Sequence, residues 1–312
     1  MSSTPARGVP KSLDRAGLEQ LVDQYCAAVV AHDPGRLPLA TDVRFTEMGQ
    51  ELEIGDGFWG TASGIGNYKS YFADVDAGEV GAFVTMVESG NPVLMGLRLK
   101  VQIGRITQIE TAFYRRGGGP AWNDAGIDNL NARGRPFDMW LKEIPPAERM
   151  SRQDLINTAN CYFAALENND GKGYYPFTDE CHRLENGVAT SNNPDLKMGD
   201  ATFNPAAMKV KDSMASGFYG VVTRIQDRRF PIVDRERGVV LTFGTFCHGG
   251  TVPVVKLSDG REFNMRFFNR PSSILIFEAF RIEKGLIAQV EALGTSVPYA
   301  LKTGWPGGIS GH

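Results

Sequence analysis

The chain has 312 residues, 42% hydrophobic and 22% charged, which is the length of two domains and the composition of a soluble globular protein. A net charge of −3, with no block of lysine and arginine, argues against a nucleic-acid or anionic-membrane surface. The cysteines Cys26, Cys161, Cys181 and Cys247 stand in no CxxC or finger spacing and read as buried thiols of a reducing compartment.

The opening segment, Met1 to Lys11, is polar and lacks the apolar core of a signal peptide. No run approaches the ~20 apolar residues of a membrane span, so a cytoplasmic protein is expected. Ser12 reads as the N-cap of a helix reaching Ala31, with Leu18, Leu21, Val22, Tyr25 and Val29 at helical spacing. After the breaker His32-Asp33-Pro34-Gly35, a short helix at 36–40 leads to a strand at 43–47 and a return strand at 51–54. A glycine-rich stretch, 55–66, precedes a helix-like segment around Tyr68 to Phe72. Three alternating strands follow near 82–89, 92–101 and 105–114.

Residues 117–150 form a seam rich in glycine, proline and asparagine. Its Trp122, Phe137 and Trp140 are too apolar for a free linker and predict packing across a surface. Ser151 with Asp154 makes a capping-box variant at the start of a second helix, which ends at Asn168-Asn169-Asp170-Gly171. A polar insert, 192–213, is followed by strands near 221–225, 238–247, 262–268, 274–282 and 286–293, with a turn signal at Ser258-Asp259-Gly260.

Three echoes recur in register. Tyr25-Cys26-Ala27-Ala28 answers Tyr162-Phe163-Ala164-Ala165, and Thr41 to Gly49 answers Thr178 to Gly187 with one residue more in the second copy. Gly104 to Glu110 answers Gly285 to Glu291. The chain therefore divides into a first domain at 12–116, a packed linker at 117–150, a second domain at 151–300 and a tail at 301–312. Each domain runs helices first and a curved antiparallel sheet afterwards, an α+β class.

This order resembles the cone-shaped fold of nuclear transport factor 2-like proteins, which include SnoaL-like cyclases, scytalone dehydratase and ketosteroid isomerase. Gln24 to Asp33, Asp42 to Glu47 and Gly104 to Tyr114 carry the resemblance. A closer one, to a largely uncharacterised bacterial and fungal family of double-domain proteins, rests on Arg15 to Leu18, Leu37 to Ala40, Thr46 to Gly49, Gly55 to Trp59, Trp140 to Pro146 and Arg149 to Leu155. The resemblance implies two tandem cystatin-like cones. Beside ketosteroid isomerase, Tyr25 falls at the oxyanion-hole tyrosine and Glu47 at the carboxylate that moves the proton. That family's second, protonated acid has no match in the strand before Gly104, where Arg98 stands instead. An arginine there would favour an anionic or phenolate-like intermediate.

The expected catalytic set is Tyr25 and Glu47 in the first copy and Tyr162, His182 and Glu185 in the second, with Phe45, Trp59, Arg98 and His248 binding substrate. A bulge would have to bring His182 and Glu185 to one face. Plainer readings stand beside these: Tyr25 as core, Glu47 capping the turn at Gly49, His182 as structural, and Glu110 and Glu291 as salt-bridging or solvated. Trp59, Phe58, Tyr68, Tyr71 and Phe72 would close the cone mouth or grip a flat substrate. His32, His182, His248 and His312 form no metal spacing, and no dinucleotide fingerprint, P-loop or nucleophile elbow is present.

The reading is a cofactor-independent lyase, dehydratase or isomerase acting by general acid–base chemistry on a small aromatic or polycyclic molecule. By analogy with related cones, a lignin-derived compound is included. The alternative is a non-catalytic module binding a hydrophobic ligand or a protein. No metal, cofactor, nucleic-acid or membrane partner is expected, and assembly stays open, a homo-oligomer included.

Overall fold

A computed structural model describes residues 13–118, 124–200, 202–265 and 268–308. The polar segment Met1 to Lys11, the Ser12 cap and Trp122 lie outside them. Helix α1 (Arg15–Val30) is capped by Asp14, whose carboxylate accepts from Gly17 N at 2.9 Å. It buries Leu18, Leu21, Val22, Tyr25, Cys26 and Val29 on one face, the spacing of a single helical stripe. Strands β1 (Leu39–Glu47), β2 (Gln50–Glu51), β3 (Ala62–Asp74), β4 (Glu79–Glu88), β5 (Asn91–Gln102) and β6 (Arg105–Arg115) follow. Their sheet order is β2-β1-β6-β5-β4-β3.

The seam contributes α2 (Gly126–Arg133) and α3 (Asp138–Leu141). The second copy then repeats the plan with α4 (Arg152–Leu166), β7 (Phe177–Glu185), β8 (Val188–Ala189), α5 (Val210–Ala215), β9 (Arg224–Asp234), β10 (Val239–His248), the small hairpin β11 (Val254–Lys256) and β12 (Glu262–Asn264), β13 (Ser272–Glu283) and β14 (Leu286–Val297). Its main sheet runs β8-β7-β14-β13-β10-β9, the same order as the first. The Ser151 hydroxyl accepts from Asp154 N at 3.1 Å at the start of α4, as the capping-box reading expects. The chain is thus two tandem α+β cones.

The expected short helix at 36–40 is a 3-10 turn at 34–36, with Leu39 and Ala40 already in β1, and three further expectations need correction. The sheets are mixed rather than wholly antiparallel, because β1 lies parallel to β6 and β7 parallel to β14. Tyr68 to Phe72 is strand, not helix: Tyr68, Ser70 and Phe72 are buried in alternation within β3. Residues four apart share a face in either structure, so Tyr68 and Phe72 satisfied both periods. Strand β9 reaches far beyond residue 225, because Gln226, Arg228 and Arg229 of its polar run are buried rather than solvated.

Each sheet turns one face to its own helix and the other to its partner sheet. In the first cone, Val80, Ala82, Val84 and Met86 of β4 and Met95, Leu97 and Leu99 of β5 pack with α1. The alternate residues, among them Phe83, Leu94, Ala112 and Tyr114, pack against Leu241, Phe243, Phe277 and Leu293 of the second sheet. Phe243 and Phe277 meet edge-on with centroids 4.1 Å apart. A Cβ at Gly96 would come within 2.6 Å of the Phe277 ring, so the sheets approach closely there. Ile127, Leu130 and Trp140 of the seam join this layer, whereas Phe137 is exposed beneath the Arg133 guanidinium.

Polar contacts across the interface come in reciprocal pairs. Arg15, which opens α1, donates to Asp234 at 2.7 and 2.8 Å, and Arg152, which opens α4, donates to Asp74 at 2.6 Å. The repeated glutamates behave alike. Glu110 accepts from Arg229 at 2.5 and 3.1 Å, and Glu291 accepts from the Tyr68 hydroxyl at 2.5 Å. Salt-bridging was the right alternative for Glu110, but both glutamates are buried, not solvated. The exchange is that of an isologous dimer built into one chain.

Candidate functional site

The first cone is filled by its own chain. After β2, residues 57–60 form a 3-10 turn that inserts Phe58 and Trp59. Phe58 stacks on Phe113 at 4.3 Å, and Trp59 meets Tyr25 edge-on at 5.5 Å. The Glu47 carboxylate accepts from Phe58 N at 3.0 Å, so it caps this turn rather than the one at Gly49. Gly57 has φ +64°, and a Cβ there would lie 2.8 Å from Glu47 Oε1; only glycine lets the carboxylate sit so close. Burial pushes the Glu47 carboxyl up, and burial likewise raises Tyr25. Phe45 joins the same core.

The second cone carries a different interior on the same frame. In the first sheet Glu47 lies opposite Thr111, and Thr111 opposite Leu97; in the second Glu185 lies opposite Ala292, and Ala292 opposite Glu278. Two glutamates therefore share one row, two strand spacings of about 4.8 Å apart, with the small Ala292 between. Phe45 opposite Ile109 becomes Arg183 opposite Val290. Tyr162 occupies on α4 the place of Tyr25 on α1 and is packed by Phe163, Phe177 and Phe280.

Arg183 is fully buried and held from several sides. Its Nε donates to Thr190 Oγ1 at 3.0 Å and lies 3.0 Å from Glu185 Oε1. Its Nη2 donates to the Thr190 carbonyl at 3.3 Å and to the Tyr219 hydroxyl. Glu278 is 2% exposed, and its Oε2 has no hydrogen-bond partner. Burial pushes its carboxyl up to about 8, against the lowering influence of the Tyr162 hydroxyl and the Arg183 charge. Burial also raises Tyr162 well above a free phenol, with Glu278 adding to it. The site thus gathers a carboxyl that burial biases toward its protonated form, a phenol and an arginine–glutamate pair.

Two segments absent from the first copy cover this side of the cone. Tyr219 belongs to a 3-10 turn at 218–221, after α5; Phe203 and Phe218 of the same stretch pack on Phe263 of the β11–β12 hairpin. Arg261 of the hairpin donates to the Thr202 carbonyl at 2.5 Å.

A family profile described as "Domain of unknown function (DUF8021)" matches residues 11–113 and 148–294. The chain belongs to the DUF8021 family. No curated protein matches it. Among solved structures, an NTF2-like protein of unknown function from Cytophaga hutchinsonii ATCC 33406 is 13% identical, with a TM-score of 0.27 over 32% of this chain and 92% of its own. A de novo designed protein with a curved β-sheet is 16% identical, with a TM-score of 0.27 over 38% of this chain and 97% of its own.

In this DUF8021 protein the expected residues divide by place. Tyr25, Phe45, Glu47 and Trp59 come together in the first cone, and Tyr162 and Glu185 in the second. His182 does not join Glu185: it is exposed on the opposite face of β7, with Asn192 Nδ2 3.4 Å from its Nδ1. The strand stays regular through these residues, so no bulge turns His182 inward. Arg98 sits outside its cone, because β5 alternation sends it between the sheets to Glu79, Gln108 and Glu110. His248 ends β10, stacked on Phe268 at 4.0 Å, and burial lowers it to about 4. It lies opposite Ser272, far along the strand from Thr242, which faces Glu278. Tyr68 and Phe72 belong to the inter-sheet layer, not to a cone mouth.

Glu278, Arg183 and Tyr219 were the residues sequence reasoning missed. A lone glutamate inside Ile274-Leu275-Ile276-Phe277-Glu278-Ala279-Phe280 was a legible signal. It stands in the strand before Gly285, the second copy's counterpart of the strand before Gly104 that holds Arg98. Among the described residues no three His, Cys, Asp or Glu side chains gather as a metal set, and no helix is long and apolar enough to cross a membrane.

Proposed function

We propose that the second cone is a cofactor-independent acid–base site of the isomerase or lyase type, acting on a small aromatic or polycyclic molecule with an enolisable carbonyl. The observation that carries this reading is the convergence of Tyr162, Arg183, Glu185 and Glu278 inside one aromatic-walled cone. Glu185, half-buried at the edge of the group, is the base that removes a proton from carbon. The protonated Glu278 carboxyl and the Tyr162 hydroxyl donate to the carbonyl oxygen as it gains charge. A carboxyl kept neutral near pH 7 by an apolar site serves as such a donor, the arrangement known for ketosteroid isomerase. The first cone, with Phe58 and Trp59 in its core, serves as scaffold.

Proton exchange tests the reading without knowledge of the natural substrate. Aryl ketones incubated with the protein in D2O should lose their α-proton NMR signal faster than in buffer, and Glu185→Gln should abolish the acceleration while the circular dichroism stays native. Equal exchange by Glu185→Gln and wild type would refute Glu185 as the base.

A further inference from the structure

We propose that the second cone binds its substrate's oxygen as an anion, an enolate or phenolate, with Arg183 as the counter-charge that follows the negative charge from Glu185 to the ligand. The inference rests on the acid–base reading of this cone. Arg183 is 1% exposed, and its one carboxylate partner among the described residues, Glu185, retains 29% side-chain exposure. A guanidinium taken out of water is costly unless well paired, and this pairing is one-sided. Thr190 and Tyr219 engage Nε and Nη2 and fix the plane of the guanidinium. Arg183 stands two residues before Glu185 on β7, one step along the strand from the row that holds Glu185 and Glu278, and its charge acts on Tyr162 and Glu278 as well.

Proton transfer would make use of that position. When Glu185 takes a proton from the ligand, its own charge is lost and one negative charge appears on the ligand oxygen. For a phenol, the O–H bond breaks, the electron pair stays on the phenolate oxygen, and a new O–H bond forms on Glu185. The net charge of the cone is unchanged, and Arg183 keeps an anionic neighbour throughout. Because Thr190 and Tyr219 hold the guanidinium in place, it need not reorganise as the charge moves. The first copy has Phe45 at this position and Leu97 at that of Glu278, so the device belongs to the second cone alone.

The probe is 4-nitrophenol, in buffer acidic enough that the free compound is neutral and colourless. Wild-type protein should bind it with the yellow phenolate absorbance, Arg183→Met should lose that absorbance, and Arg183→Lys should restore a measurable part of it. Thermal unfolding of each variant separates a folded protein lacking the counter-charge from a misfolded one. Neutral 4-nitrophenol on wild type, no bound 4-nitrophenol, or an undiminished phenolate band in folded Arg183→Met would each overturn the proposal. The readout requires no turnover. A phenolate band that depends on Arg183, without exchange of aryl ketones, would leave the anion site standing and remove the acid–base reading; exchange with only neutral phenol bound would do the reverse.

Discussion

The two cones share a frame and differ in what fills it. Tyr25 and Tyr162 match, as do Glu47 and Glu185, yet in the first cone the glutamate caps a turn and the tyrosine packs on Trp59. In the second, Arg183 replaces Phe45 and Glu278 replaces Leu97 in the corresponding rows. The repeated residues are therefore the scaffold's inheritance, and the residues that differ make one interior polar. Duplication allows this because each sheet buries its back on the other, leaving one cone free to hold costly polar groups while the other is packed for stability.

The comparison breaks most sharply at the paired glutamates. Glu185→Gln should lower exchange by about 10²–10⁴-fold, the usual reach of a general base, whereas Glu47→Gln should leave it at the wild-type rate. A loss in the second variant would move the chemistry to the first cone. Trp59→Ala should cost about 3–5 kcal/mol in denaturant unfolding, since a fully buried indole leaves a cavity. A cost near zero would mean that the first cone is not filled in the way its contacts indicate. Arg229→Met should cost about 3 kcal/mol, because it strands Glu110 between the sheets with only the longer contact to Arg98.

Glu278 sharpens the contrast through pH. Its neutral form is the donor, so exchange by the wild type should decline as pH rises through about 8. Glu278→Gln keeps an N–H donor and should flatten that decline. Stability should follow the same sign. The folded protein keeps a proton on Glu278 that the unfolded chain loses in the ordinary carboxylate range. Wild type should therefore lose stability relative to Glu278→Gln from that range up to about 8, with no further change above it. Thermal unfolding across that window checks this, and parallel curves for the two proteins would show an unperturbed carboxyl. The smallest effect is expected at Tyr219→Phe, about 1 kcal/mol for the hydrogen bond removed from Arg183.

Much of the frame was legible without coordinates. The echoes around Tyr25 and Tyr162 and around Glu110 and Glu291 place helix against helix and strand against strand, and the Ser151 cap and the alternation of β4, β5 and β6 do the rest. The site was legible only in part. Arg183 sits between His182 and Leu184 in a polar stretch with no period to mark it as buried. The polar run Gln226-Asp227-Arg228-Arg229, beyond the expected strand end at 225, likewise has no period to mark burial, yet Gln226, Arg228 and Arg229 are buried in β9. In both places a partner that makes burial tolerable, Tyr219 for Arg183 and Glu110 for Arg229, lies 36 and 119 residues away and is invisible to a local pattern.

What the sequence determined by itself is the duplication, the helix and strand order, and the tyrosine–glutamate pair repeated in each copy, because periodicity and local echoes are properties of neighbouring residues. Which face of each strand looks into a cone, and which looks at the other sheet, was decided only in three dimensions. One residue of alternation separates Leu97 in the first cone from Arg98 between the sheets, and His182 outside from Arg183 within. That choice depends on what packs against each face, here a helix on one side and a second sheet on the other, and both lie far away along the chain.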